Sequence, residues 1–233
     1  YSVLDMVHAF EQANGYALRS EITGILKGLG FSEEELIEGF LCGKSQKTGR
    51  AYDYFRNRVI FPIIDVTGNV IAFGGRIMGD GQPKYLNSPE TPVFNKRKML
   101  YNINFARDKG FAARNFIICE GYMDVIALDK FGFEYSAAPM GTALTEDQIQ
   151  EAWKIVPEPI LCFDGDNAGQ KAAIRSVERA LPILKAGHSL KFMFLPDKMD
   201  PDEFLKAKGK DAFLSLMQQT TPLMQLLWDK NTK

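Results

Sequence analysis

Ile160-Leu161-Cys162-Phe163-Asp164-Gly165-Asp166-Asn167-Ala168-Gly169 passes from a four-residue apolar run straight into two carboxylates and two glycines. A short apolar run bounded by turn residues is the pattern of a strand buried on both faces. The same order of events occurs on either side of it. Phe116-Ile117-Ile118-Cys119 runs into Glu120, with Asp124 four residues on, and Phe192-Met193-Phe194-Leu195 is followed after a short loop by Asp200 and Asp202. Strand patterns at 115–119, 134–138, 159–163 and 190–195 alternate with helical patterns at 122–131, 145–155, 168–185 and 201–219. That alternation predicts an α/β region, a parallel sheet covered by helices on both faces. Ligands of such sheets bind beyond the carboxyl ends of the strands, so these acids are expected to gather along one edge.

Clustered carboxylates repel, and each raises its neighbours' pKa unless a cation stands between them. Oxygen donors without Cys or His select Mg²⁺ or Mn²⁺ over zinc. Two such ions can activate a 3′-hydroxyl and stabilise a leaving pyrophosphate. Gly121, Gly165 and Gly169 let the chain turn sharply beside the acids. The competing reading of any one acid is a helix N-cap, because Asp164 and Asp166 precede a helix and Asp200 precedes Pro201. A single acid of this kind is more often a cap. Three strand-to-acid junctions in one sheet argue for more than capping, with Asp124 and Asp202 the weakest members of the set.

Composition sets the wider limits. The 233 residues are 45% hydrophobic and 24% charged, which excludes a disordered chain, a collagen-like repeat and a small disulfide scaffold. No apolar run approaches the roughly 18 residues of a membrane span. Cys42, Cys119 and Cys162 are far apart, and with His8 and His188 they form no zinc-site spacing, so free thiols in a reducing cytoplasm are expected. A first residue of Tyr1 reads as a fragment of a longer chain. Net charge is -1, but residues 44–109 hold twelve basic and five acidic residues. A basic segment joined to an acidic one suits a protein that meets a polyanion with one part and metal ions with the other.

Residues 1–41 read as helical, with Ser2 as a first cap and Gly30-Phe31-Ser32 as a stop before a second helix begun by Glu33–Glu35. Residues 59–64 and 70–73 read as a hairpin around 65–69, and 79–98 as irregular. The expected division is a mixed α/β basic part over 1–110, a metal-binding part over 111–203 and a helical segment over 204–233.

Glu120-Gly121-Tyr122-Met123-Asp124, Asp164-Gly165-Asp166-Asn167-Ala168-Gly169 and Asp200-Pro201-Asp202 resemble the three signatures of the TOPRIM domain, shared by topoisomerases, nucleases, recombination-repair proteins and primases. Their wording, with Tyr54–Pro62, Phe73-Gly74-Gly75-Arg76 and Pro83–Thr91 upstream, is similar to the bacterial DnaG-type primases. The likeness runs from about residue 50 to 205. It implies a TOPRIM-type parallel sheet in an α+β chain, and a metal-dependent RNA polymerase making short primers on single-stranded DNA from ribonucleoside triphosphates. Glu120, Asp164 and Asp166 would be the essential metal-site acids, with Glu120 helping to deprotonate the attacking hydroxyl. Asp200 and Asp202 would be supporting ligands, with Asp124 behind them, around two or more Mg²⁺ or Mn²⁺ ions. Arg56, Arg58, Arg76, Lys84, Asn87 and Lys96 would meet template and nucleotide phosphates. The resemblance also implies a cytoplasmic protein of the replication fork, with a zinc-binding domain and a helicase-binding domain in the full chain but not in this stretch. Another TOPRIM enzyme, a nuclease or topoisomerase, and a non-catalytic Mg²⁺-stabilised binding module are the alternatives.

Overall fold

The computed structural model describes residues 22–141 and 143–232, so a helix capped by Ser2 lies outside the described residues. The chain divides into two compact units between Asn95 and Lys96.

Among the described residues, the first elements of the first unit are helices α1 (Ile22–Gly28) and α2 (Glu33–Glu38). Ser32 caps α2 as its sequence suggests: Glu35 N–H donates to Ser32 Oγ at 3.2 Å, and Ser32 N–H donates to Glu35 Oε2 at 2.8 Å. A short antiparallel pair follows, β1 (Cys42–Lys44) with β2 (Ala51–Asp53). The expected hairpin is present as β3 (Arg58–Ile64) and β4 (Val70–Ile77), and β5 (Tyr85–Asn87) adds a third antiparallel strand within a stretch expected to be irregular. Asp65 Oδ1 accepts from Thr67 N–H and Asn69 N–H, both at 2.9 Å, which shapes the β3–β4 turn. Leu26, Leu36, Phe55, Ile60 and Phe73 form the core beneath this sheet.

Arg58 is only 5% exposed. Its Nη2 donates to the Pro83 carbonyl at 2.8 Å, and its Nη1 lies 3.3 Å from the Gly75 carbonyl and 3.4 Å from that of Lys84. A guanidinium spreads donors in a plane, so one side chain ties β3 to β4 and to the segment entering β5.

The second unit contains α3 (Ile103–Ala113), β6 (Ile117–Ile118), α4 (Tyr122–Lys130), β7 (Ser136–Ala137), α5 (Glu146–Trp153), β8 (Ile160–Phe163), α6 (Asn167–Ala180), β9 (Lys191–Phe194), α7 (Pro201–Met217), β10 (Thr221–Pro222) and α8 (Leu223–Thr232). Its five strands are ordered β10-β9-β8-β6-β7. The three pairings among the four strands expected from the sequence are parallel, and β10 closes one edge antiparallel to β9. Alternate strand residues feed two separate cores. Phe116, Ile118, Leu161, Phe163 and Phe192 pack with α3, α5, α6 and α8, whereas Ile117, Cys119, Ile160, Cys162 and Met193 pack with α4 and α7. Burial on both faces explains why these strands read as continuous apolar runs.

The division falls earlier than the boundary expected at 110, because Leu100, Ile103 and Ala106 belong to the core of the second unit. The segment after residue 203 also belongs there: Phe204, Leu205, Phe213 and Met217 are core residues, and β10 extends the sheet.

Removing the buried guanidinium should destabilise the first unit. Arg58→Met leaves three carbonyls without their charged donor, an expected loss of about 2 kcal/mol or more, read as a lower urea midpoint. An unchanged midpoint would mean that water replaces these bonds at no cost.

Candidate active site

The strand order reverses between β6 and β8, since β7 lies on one side of β6 and β8 on the other. A reversal of this kind opens a crevice at the carboxyl ends of the two central strands. Glu120 follows β6 there and Asp164 follows β8, and Asp164 N–H donates to Glu120 Oε1 at 3.4 Å. Asp166 begins α6, Asp124 lies in the first turn of α4, and Asp200 begins α7 after the turn that follows β9.

Three of these acids cap helices through one oxygen each. Asp166 Oδ1 accepts from Gly169 N–H at 2.7 Å, Asp200 Oδ1 from Glu203 N–H at 2.8 Å, and Asp124 Oδ2 from Gly121 N–H at 2.9 Å. Each keeps a second oxygen. Asp164 differs, because its carboxylate accepts no hydrogen bond from any described residue. Two glycines permit this packing. A Cβ on Gly165 would stand 1.9 Å from the Leu195 carbonyl oxygen, and one on Gly169 would stand 2.1 Å from that of Asp164. Both obstacles are backbone, so no side chain can replace either glycine without moving the site.

The electrostatics register the crowding. Burial, then the charges of Glu120, Asp200, Asp166 and Glu203, push Asp164 up to about 6. Asp124 is pushed up to about 7, first by burial and then by Asp164, Asp200 and Glu120, against the lowering effect of the Gly121 hydrogen bond. Glu120 is raised by desolvation and by Asp166, and lowered by its bond from Asp164 and by Arg175. Its side chain reaches solvent. Cys119 and Cys162 lie beneath the acids, and burial pushes both thiols well above their ordinary range.

Among the described residues, no three acidic, histidine or cysteine side chains are already drawn together tightly enough to grip an ion. The donor set nonetheless suits a hard divalent cation: every candidate is a carboxylate, the capping acids each have an oxygen to spare, and bringing a cation in would relieve the charge that raises Asp124 and Asp164. Asp202 stands apart from this group, paired with Lys206 at 2.5 Å, and it is absent from the charges felt at Glu120, Asp124 and Asp164. Glu203, which the sequence reading passed over, is felt at Asp164 instead. Its signal was the Asp200-Pro201-Asp202-Glu203 spacing of a capping box.

Of the six expected nucleic-acid residues, Lys96 belongs to the second unit and the other five to the first. Arg58 is buried as described. Arg56 is exposed, with its guanidinium 5.1 Å from the Tyr52 ring centroid, and Lys84 Nζ stands 5.7 Å from the Tyr85 ring centroid. The register pairs Arg76 with Tyr85 and Gly74 with Asn87, which sets Arg76 and Asn87 on one face of the β4–β5 ladder. Arg76 Nε and Asn87 Oδ1 are both shut off from solvent and meet no hydrogen-bond partner among the described residues. Lys96 is half-buried, and its carbonyl accepts from Gln148 Nε2 at 2.9 Å.

Residues 117–205 match the model of Toprim-like domains, a class that binds divalent metals. Residues 5–107 match the model of the DNA primase catalytic core, N-terminal domain. The DNA primase of Pseudomonas aeruginosa is 45% identical over 210 residues, 88% of this chain and 32% of that protein. Among solved structures, the E. coli primase catalytic core is 38% identical with a TM-score of 0.85, over 100% of this chain and 78% of that one. The DnaG primase catalytic domain bound to single-stranded DNA is 37% identical with a TM-score of 0.84, over 100% of this chain and 77% of that one. The chain belongs to the DnaG-type DNA primase family, as a catalytic-core segment, and spans about a third of the length of its curated relatives.

The raised acids predict a pH signature. Between about pH 4 and pH 7 the folded chain holds more protons at Asp124 and Asp164 than the unfolded chain, so their contribution to stability falls as pH rises through that window. Asp124→Asn removes one such charge. Its melting temperature relative to the parent should therefore climb from about pH 5 to about pH 8, and added Mg²⁺ should raise the parent's melting temperature more at the higher pH. A pH-independent difference would refute the coupling.

Proposed function

We propose that this chain carries the polymerising centre of a primase, which joins ribonucleotides into short RNA on a single-stranded DNA template. The observation that carries this reading is the gathering of Glu120, Asp164, Asp166 and Asp200 at the crevice between β6 and β8, with Asp164 raised by burial and by its neighbours' charge. Mg²⁺ or Mn²⁺, as two or more ions, would be held by Glu120, Asp164, Asp166 and Asp200. Bound there, the ions supply polarisation of the attacking hydroxyl and neutralisation of the departing pyrophosphate.

The protein's own groups do the remaining work. Glu120, open to solvent, accepts the proton of the 3′-hydroxyl as the hydroxyl oxygen bonds to the α-phosphorus and the bond to pyrophosphate breaks. Asp164 has no other hydrogen bond to give up, so its carboxylate is free to turn toward a ligand. Asp124 holds the Gly121 turn that aims Glu120, and Asp202 is tied to Lys206. In the first unit, Arg56, Arg76, Lys84 and Asn87 provide the template and nucleotide contacts. The unpartnered Arg76 donor and Asn87 acceptor are the strongest of these, because buried polar atoms without partners are costly unless a ligand supplies them. Arg58 supports that surface from beneath, and Lys96 adds charge in the second unit. The solved relative bound to single-stranded DNA supports the template assignment. A cytoplasmic setting at the replication fork, with the replicative helicase as a partner of the longer protein, follows the same family reading.

Two measurements test this. With single-stranded template, ribonucleotides and Mg²⁺ or Mn²⁺, the chain should make short RNA, and Asp164→Ala should lose on the order of 10²-fold or more in rate while melting no lower than the parent. DNA shortened or nicked instead would move the reading to a nuclease or topoisomerase, and binding unaffected by Asp164→Ala with no synthesis would leave a scaffold. The affinity for single-stranded DNA should fall with salt, and Arg56→Ala should flatten the logarithmic slope by about 0.7. A response flat in the parent would remove the phosphate contacts from the account.

A further inference from the structure

We propose that Arg175 binds the phosphate chain of the incoming nucleoside triphosphate, in a pocket that it shares with Glu120; this rests on the primer-synthesis reading above. The pocket holds about 270 Å³, and Pro139, Gly141, Leu144 and Phe163 wall it between Glu120 and Arg175. That is below the ~300 Å³ at which pockets enclose a whole small molecule, so it takes a part of one.

The placement of Arg175 follows from α6. Asp166 fixes the start of the helix, and Arg175 lies on the turn that, with Ala172 and Ser176, lines the pocket. One turn further on, Arg179 Nη1 donates to the Ala143 carbonyl at 2.9 Å and also to that of Leu144, which fixes the loop forming the pocket's other wall. Arg179 is therefore consumed by structure. Arg175 is not: among the described residues it has no ion pair and no hydrogen bond, and Glu178, the acid beside it on the helix, is taken by Lys230 at 2.6 Å.

Charge explains why a cation is needed there. The acid cluster repels any anion approaching Glu120, and Arg175 is the cation felt at that carboxylate. An anionic group entering the pocket meets a guanidinium fork on one side, and on the other the acids that a divalent cation would neutralise. Partly apolar walls exclude water, which strengthens a charge-assisted bond to phosphate oxygen. A guanidinium offers paired donors matched to two phosphate oxygens, whereas an ammonium offers a point charge. A template phosphodiester has the same oxygens, but the pocket is lined by Glu120, beside which the reacting phosphates must lie.

The test uses the full chain with Arg175→Ala, Arg175→Lys and, as a control cation on the same helix, Lys171→Ala. Binding of Mg²⁺-tripolyphosphate and of a non-hydrolysable ribonucleoside triphosphate is measured by calorimetry, and binding of labelled single-stranded DNA by anisotropy. Arg175→Ala should weaken both phosphate probes about tenfold or more, with Arg175→Lys between it and the parent, Lys171→Ala within about twofold, and DNA affinity and melting temperature unchanged. In primer synthesis its KM for ribonucleotide should rise more than its kcat falls. Equal tripolyphosphate affinity in parent and Arg175→Ala overturns the proposal, and a loss confined to DNA overturns it in favour of a template phosphodiester. Should the parent make no RNA yet bind tripolyphosphate through Arg175, the phosphate site stands and the primer-synthesis reading falls.

Discussion

Negative charge held close together at the ends of two parallel strands is the constraint on which the second unit is organised. Glu120, Asp124, Asp164, Asp166 and Asp200 are brought within one another's electrostatic reach, and without a cation the cost appears as protons retained by Asp124 and Asp164. The fold tolerates this because the surrounding apolar cores are continuous on both faces of the sheet. It also anchors the acids through backbone. Gly165 and Gly169 bring the loop after β8 against carbonyls of Leu195 and Asp164, an approach that leaves no room for a side chain. Positioning and destabilisation thus arise from the same residues, a common arrangement at sites built for a ligand that the bare chain lacks.

Four arginines of this chain serve two different ends. Arg58 is buried and satisfies carbonyls of the first unit, and Arg179 does similar work for the loop after β7. Arg76 is held with Nε shut from solvent and without a partner among the described residues, and Arg175 is exposed, unpaired among the described residues, and lines the pocket that holds Glu120. Charge-counting treats these as equal members of a basic total. Burial and hydrogen-bond accounting separate them: the first two are internal ties, and the latter two retain donor capacity.

Much of the second unit was legible because its strands are buried on both sides. Runs such as Ile160–Phe163 and Phe192–Leu195 are apolar without interruption, and the amphipathic stretch between them has a helical period. What stayed hidden was short or tertiary. The β1–β2 pair, β5 and β10 have two or three residues each, too few for alternation to show, and their pairing is set by partners distant in sequence. Rejoining of 96–113 to the second unit depends on Leu100, Ile103 and Ala106 meeting a core that follows them in the chain. Nor does the close spacing of Arg56 and Arg58 reveal that one is exposed on a tyrosine and the other buried among carbonyls. Glu203 was readable as a capping-box acid, but its reach to Asp164 needed the fold.

The choice between helix cap and metal ligand, posed by the sequence as alternatives, dissolves in the geometry. A carboxylate has two oxygens, and Asp124, Asp166 and Asp200 each commit one to a backbone N–H of a helix's first turn. That bond restricts the side-chain torsions and leaves the other oxygen free, so the cap is what orients the ligand. The helix dipole adds to the effect by favouring negative charge where these acids stand. Asp164 alone lacks such a bond, and it is correspondingly the acid whose pKa is raised by burial and four neighbouring charges with no hydrogen bond opposing them. An acid fixed by nothing but its strand end, surrounded by others fixed by caps, is the one whose orientation depends most on what binds.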